Sequence, residues 1–106
     1  MKAVTDENFD STVSMHEGKL VIVDCHAEWC APCKILKPTL EKVASEMQEA
    51  VEIYGADIEE SPGLAKKFQI RGVPTLLWFK DGSLVKTTVG VMKKEQLVSE
   101  IRLLTS

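Results

Sequence analysis

The chain has no apolar run approaching the roughly 20 residues of a membrane-spanning helix, so no span is expected. Its opening, Met1-Lys2-Ala3-Val4-Thr5-Asp6, lacks the apolar core of a signal peptide, and a cytoplasmic location is the expectation that follows. Repeats, low-complexity tracts and linkers are missing as well. At 106 residues there is enough chain for a single core, so residues 1–106 are expected to form one domain. Excess charge of either sign is missing too. The 13 Lys and Arg against 16 Asp and Glu leave −3, too mild for nucleic acid or an anionic membrane to be the partner. Cysteine is sparse, and three thiols in a reducing compartment read as catalytic or metal-binding rather than as a disulfide framework. What remains, 44% hydrophobic and 27% charged residues, fits a folded globular protein and argues against disorder.

Two of the cysteines stand in Trp29-Cys30-Ala31-Pro32-Cys33-Lys34, after an apolar run and at the start of a helical pattern. A thiol reacts as thiolate, and a helix N-terminus favours negative charge. Its unpaired N–H groups and aligned peptide dipoles bring a cysteine pKa from about 8.5 into roughly the 3.5–7.5 range. Cys30 lies before the first helical turn, beside Trp29, where a substrate could reach it, and is the expected nucleophile. Cys33, inside the helix, is expected to be more buried and to resolve a mixed disulfide formed by Cys30, leaving a Cys30–Cys33 disulfide. The competing use of a CxxC pair is half a zinc site. Zinc takes four ligands, and only Cys25, His26 and His16 remain as candidates without a second CxxC pair, so no metal centre is expected.

Around that pair the chain reads as alternating elements. Thr5 or Asp6 can cap a first helix that buries Phe9, Val13 and Met15 and ends near Gly18. Leu20 to Cys25 is apolar and β-branched, as in a strand covered on both faces. From Ala31 to about Gln48 the residues Leu36, Leu40, Val43 and Met47 recur at helical spacing, with Pro32 in the first turn and Pro38 expected to kink the helix. Val51 to Ile58 is a second strand, and a strand–helix–strand unit predicts parallel pairing with a right-handed crossover. Ser61-Pro62 predicts a capped short helix through Phe68. Asp81-Gly82 predicts a hairpin between Thr75–Lys80 and Ser83–Val89. Glu95 to Leu104 predicts a last helix burying Leu97, Val98, Ile101 and Leu104, giving one mixed sheet with helices on both faces.

Asp24 ends the first strand, where an ionised carboxylate is costly to bury, so its pKa should rise toward neutrality. Such a group can take the Cys33 proton, or it can simply end the strand and bond a backbone N–H. Cys25 points to the other face and reads as a small buried hydrophobe, with a regulatory thiol as the lesser reading. Trp78, Phe68, Phe79 and Tyr54 read as core or strand-surface aromatics, and Lys34 and Lys37 as solvated.

The Val23-Asp24 strand end, Trp29-Cys30-Ala31-Pro32-Cys33-Lys34, Pro38, Ser61-Pro62-Gly63, Ile70-Arg71-Gly72-Val73-Pro74-Thr75, Phe79-Lys80-Asp81-Gly82 and Val89-Gly90 together resemble the thioredoxin family over essentially the whole chain. The resemblance implies an α/β thioredoxin fold, a central mixed five-stranded sheet flanked by four helices. It implies reduction of protein disulfides through a Cys30–Cys33 dithiol–disulfide cycle, the redox-active disulfide being its oxidised form, with no bound cofactor. The implied partners are disulfide-containing proteins and a thioredoxin reductase, an NADPH-dependent flavoprotein, with the chain itself a monomer. It favours the proton-transfer role for Asp24. Only roughly 5–6% of X–Pro bonds are cis, so sequence alone makes Val73-Pro74 trans. The resemblance implies a cis bond facing the dithiol, where the backbone of Val73 would bind an extended substrate as an added strand. Trp29, Ala31, Pro32, Gly72, Val73, Pro74 and Gly90 are then the implied substrate-binding residues.

Four residues depart from the family's pattern. Ala31 replaces the usual glycine between the cysteines, a position that tunes the reduction potential. His26 stands where tryptophan is common, Cys25 where phenylalanine is common, and Gly55 where a lysine often neighbours the buried aspartate. Losing that ammonium should raise the Asp24 pKa further, and His26, titrating near neutrality, is a candidate partial substitute. Two other functions fit the same frame: a disulfide oxidant or isomerase of higher potential, and a non-catalytic scaffold module.

Overall fold

All 106 residues are described by a computed structural model. In chain order the elements are β1 (Lys2–Ala3), α1 (Phe9–Ser14), β2 (Leu20–His26), α2 (Ala31–Glu46), β3 (Val51–Asp57), α3 (Pro62–Lys67), β4 (Thr75–Lys80), β5 (Ser83–Val89) and α4 (Lys94–Thr105). The five strands form one sheet in the order β1-β3-β2-β4-β5. β3 pairs in parallel with both β1 and β2, whereas β4 runs antiparallel to β2 and β5. This is the mixed, helix-flanked sheet expected, and β2 occupies its centre.

Central position explains the β2 sequence. Leu20, Val21, Ile22, Val23, Asp24 and Cys25 are all buried because both sheet faces are covered. On one face Phe9 and Val13 of α1 and Leu64 of α3 pack on Val21, Val23, Leu77 and Phe79. On the other, Leu36, Leu40 and Val43 of α2 and Leu97 and Ile101 of α4 pack on Ile22, Ile53, Leu76 and Trp78. Each fully buried Leu, Ile or Val side chain contributes roughly 1.5–3 kcal/mol of transfer free energy, so this double layer holds the end of β2 rigidly. The Trp78 indole spends its N–H on Thr88 Oγ1 at 3.1 Å. At the hairpin, Asp81 (φ 49°) and Gly82 (φ 83°) take the paired positive φ values that a tight type I′ turn requires.

The N-terminal third departs from expectation. α1 begins only at Phe9, after Asn8, and ends at Ser14, and Met15 is exposed rather than buried. Neither Thr5 nor Asp6 caps it. The Asp6 carboxylate instead reaches across the chain to α3, accepting from the N–H groups of Gly63 (2.9 Å) and Leu64 (2.8 Å). Ser61, expected to cap that helix, occupies the N-cap position without a side-chain bond. A side chain distant in sequence supplies the acceptor that local reading assigned to the serine. β1, two residues long, is too short to carry a periodic signal and was not legible as a strand. In α4, Val98 and Leu104 are half-buried at the margin of the core rather than inside it. α2 runs unbroken through Pro38, whose missing N–H leaves the Lys34 carbonyl without its helical donor.

Candidate active site

β2 and α2 build the site. Cys30 holds the N-cap position of α2 with an extended backbone (φ −86°, ψ 105°), and its Sγ accepts the Cys33 N–H at 3.1 Å. Polar caps accept such orphan N–H groups with oxygen, and here sulfur does so. The arrangement lays Sγ against the positive end of a 16-residue helix, which stabilises it as thiolate. Pro32, in the first turn of α2, costs no hydrogen bond. The two cysteines are joined as a disulfide with Cα atoms 5.3 Å apart.

Burial does not separate them as expected. Cys30 is 3% exposed and Cys33 4%, so Cys33 is not the more hidden of the pair. In the closed disulfide both sulfurs are packed with Ala27, and Val73 and Ile58 lie against the cluster. What distinguishes the cysteines is direction. Cys30 is the helix cap, next to Trp29, which is 67% exposed, whereas Cys33 lines a cleft on the other flank.

That cleft has a volume of about 680 Å³ and is bounded by Asp24, His26, Cys33 and Lys37 among others. Asp24 is 1% exposed, and its Oδ1 has no hydrogen-bond partner. Desolvation lifts its pKa to about 7, while the Lys37 ammonium pulls the other way. The alternative that Asp24 merely bonds a nearby backbone N–H finds no such bond in the structure. Lys37, read from sequence as solvated, is indeed exposed, yet it acts electrostatically on the buried carboxyl. Spacing puts Lys37 on the helix face of Cys33, four residues earlier, but does not show that this face lies over Asp24.

On the opposite flank lie Val73 and its loop neighbours. The Val73-Pro74 bond is cis. Val73 packs against the Cys30–Cys33 cluster, and its N–H and C=O make no bond within the chain. Gly90, at φ 97°, donates its N–H to the Pro74 carbonyl at 2.9 Å, and Thr75 Oγ1 donates to the Gly72 carbonyl at 2.6 Å. These bonds fix the loop that presents Val73. Gly72 lies against Val89, which is 70% exposed. Ala31 and Pro32 are exposed on the first turn of α2. The disulfide therefore has the unpaired Val73 backbone on one flank and the buried Asp24 carboxyl on the other.

Of the four departures, Cys25 is wholly buried among Val21, Val23, Tyr54 and Ala56, and burial pushes its thiol up to about 12. Gly55 pairs with Asp24 in the sheet register, and a side chain there would meet the His26 ring.

Comparison with known proteins gives a consistent result. A family profile described as Thioredoxin matches residues 1–103. A thioredoxin of Acidithiobacillus ferridurans is 42% identical over 96 residues, covering 91% of this chain and 88% of the relative. One of Pseudomonas aeruginosa is 41% identical over the same coverage, and one of Staphylococcus aureus 42% identical over 94 residues, covering 89% and 88%.

Proposed function

The chain belongs to the thioredoxin family, and from that premise we propose the cycle by which its residues work. It is a thiol–disulfide oxidoreductase, a protein-disulfide reductase whose redox centre is the Cys30–Cys33 pair. In the reduced chain Cys30 thiolate attacks one sulfur of a substrate disulfide. The substrate S–S bond breaks, the leaving sulfur takes a proton from solvent, and a mixed disulfide joins Cys30 to the substrate. Cys33 then passes its thiol proton to the Asp24 carboxylate and attacks Cys30 Sγ. The bond to the substrate breaks, the second substrate sulfur leaves as thiolate and takes a proton from solvent, and the Cys30–Cys33 disulfide forms, with Asp24 later releasing its proton. Two electrons have moved from the chain to the substrate.

The observation that carries this reading is the arrangement on the two sides of the disulfide: an unpaired Val73 backbone on one, and Asp24 sharing a cleft with Cys33 on the other. Trp29, Ala31, Pro32, Gly72, Val73, Pro74 and Gly90 form the substrate groove. An extended peptide adds to the Val73 edge by main-chain bonds and lays its disulfide across Cys30. Disulfide-containing proteins are the substrates in general, and a reductase resets the chain. We assign that role to an NADPH-dependent thioredoxin reductase, working with a monomeric, single-domain protein in the cytoplasm. The chain needs no bound cofactor, since the dithiol itself carries the electrons.

Reduction of insulin disulfides coupled to such a reductase tests the activity. Cys33→Ser tests the order of attack, because it should accumulate a covalent adduct between Cys30 and the substrate. Absence of that adduct would refute the assignment of attacker and resolver. Neither the oxidant nor the scaffold reading is favoured by relatives that are named thioredoxins.

A further inference from the structure

A carboxyl that accepts a proton in every turnover must also release it, and Asp24 is 1% exposed. The cleft beside α2 is the opening it shares with solvent. His26 borders that opening two residues further along β2, and therefore on the same sheet face as Asp24. Its register partner is Asp57, but its ring is not extended over that residue alone. A Cβ built on Gly55 would lie 3.3 Å from His26 Nε2, and Gly55 is the register partner of Asp24. The imidazole thus leans back along the sheet toward the strand position beside the buried carboxyl, over space that a side chain at position 55 would crowd.

We propose that His26 is a positioning residue for proton exchange at Asp24: its imidazole, seated over Gly55, supplies charge to the carboxyl and forms the cleft-side exit for its proton. This rests on the reading of Asp24 as the base for Cys33. Lys37 also acts on the charge of the carboxyl, but none of the other groups around the cleft is suited to passing its proton. Lys34 and Lys37 come from α2 and Lys2 from β1, and an ammonium group donates hydrogen bonds without accepting any. Asp57 spends Oδ1 on the N–H groups of Glu59 and Glu60, at 2.8 and 3.4 Å. Glu28 and Glu60 are exposed acids at the rim. The N-terminal amine is drawn to Glu41 at 3.4 Å. Imidazole alone among these side chains has two ring nitrogens, so it can take a proton in through one and pass it out through the other.

The test follows the Asp24 carboxyl by carbon NMR through a pH titration of the full chain in its disulfide form. His26→Gln keeps a polar side chain in place and removes the charge, and it should raise the Asp24 midpoint by about half a pH unit, roughly a threefold tighter hold on the proton. His26→Lys restores a cation and should return the midpoint to its original value or below. Gly55→Ala, which displaces the ring without removing it, should raise the midpoint by less. A Gln variant whose midpoint is unchanged or lower overturns the role of His26 and leaves Asp24 as the base. An Asp24→Asn chain that resolves mixed disulfides at the unsubstituted rate overturns both.

Discussion

Asp24 and Cys25 are consecutive residues of β2, 1% and 0% exposed, pointing to opposite faces of one sheet. Desolvation acts on both in the same direction, holding the carboxyl near 7 and the thiol near 12. For a carboxyl, that shift brings proton exchange into the neutral range. For a thiol, it removes the nucleophilic form altogether. Access divides them further, since Asp24 borders a cleft with Cys33 while Cys25 is enclosed by Val23, Tyr54 and Ala56. Burial is therefore not a functional signal by itself. It becomes one when the ordinary pKa starts on the right side of neutrality and the group opens toward a partner.

Substitution of the three cysteines breaks the comparison most sharply. Cys30→Ser and Cys33→Ser should each abolish catalytic turnover of insulin disulfides, because one removes the attacking sulfur and the other the resolving one. Cys25→Ala should retain turnover within about twofold and cost only about 1–2 kcal/mol of stability through the small cavity it leaves. A Cys25→Ala chain that lost turnover while still folded would place a working thiol on the wrong face of the sheet.

Asp24→Asn should produce two effects of opposite sign. Turnover at pH 7 should fall about tenfold or more, as loss of a general base does. Stability should rise. The folded carboxyl holds its proton up to about pH 7, whereas the ordinary value is 3.8, so the folded state binds more protons between those limits. Stability of the unsubstituted chain consequently decreases as pH increases from about 4 to about 7 and is then level with respect to this group. The integrated difference is up to about 4 kcal/mol, present in full at pH 8 and absent below pH 4. Urea unfolding of both chains across this range measures it. An Asn chain no more stable than the original at pH 8 would mean that Asp24 is not desolvated.

The two faces also differed in how far they could be read in advance. The site side was legible because its signals are local: CxxC at a helix start, a carboxylate ending an apolar strand, and Pro32 in a first turn. The cis state of Val73-Pro74 was not legible from residue chemistry, since local preference points to trans, and only the resemblance to a family indicated otherwise. The role of Lys37 depends on helix α2 lying over the end of β2, a contact that periodicity does not specify. On the α1 and α3 side the capping errors shared one cause. Asp6 was assigned to the nearest helix because capping rules are local, and the chain used it across a gap of 57 and 58 residues.

That long-range cap yields the smallest effect, and one that should leave the site untouched. Asp6→Ala removes the acceptor for the Gly63 and Leu64 N–H groups and should cost about 1 kcal/mol. Gly63→Ala should also be unfavourable, because its new Cβ would lie 2.9 Å from the Asp6 carboxylate and push it off the helix. Combined with Asp6→Ala, the same alanine has nothing to displace. It should then become neutral or stabilising, by up to about 1 kcal/mol, through its better helix propensity. A thermodynamic cycle of the four chains by urea unfolding reads the coupling. Additive energies would deny that Asp6 caps α3. The Asp24 titration should be the same in all four, because Asp6, Gly63 and Leu64 do not themselves line the cleft.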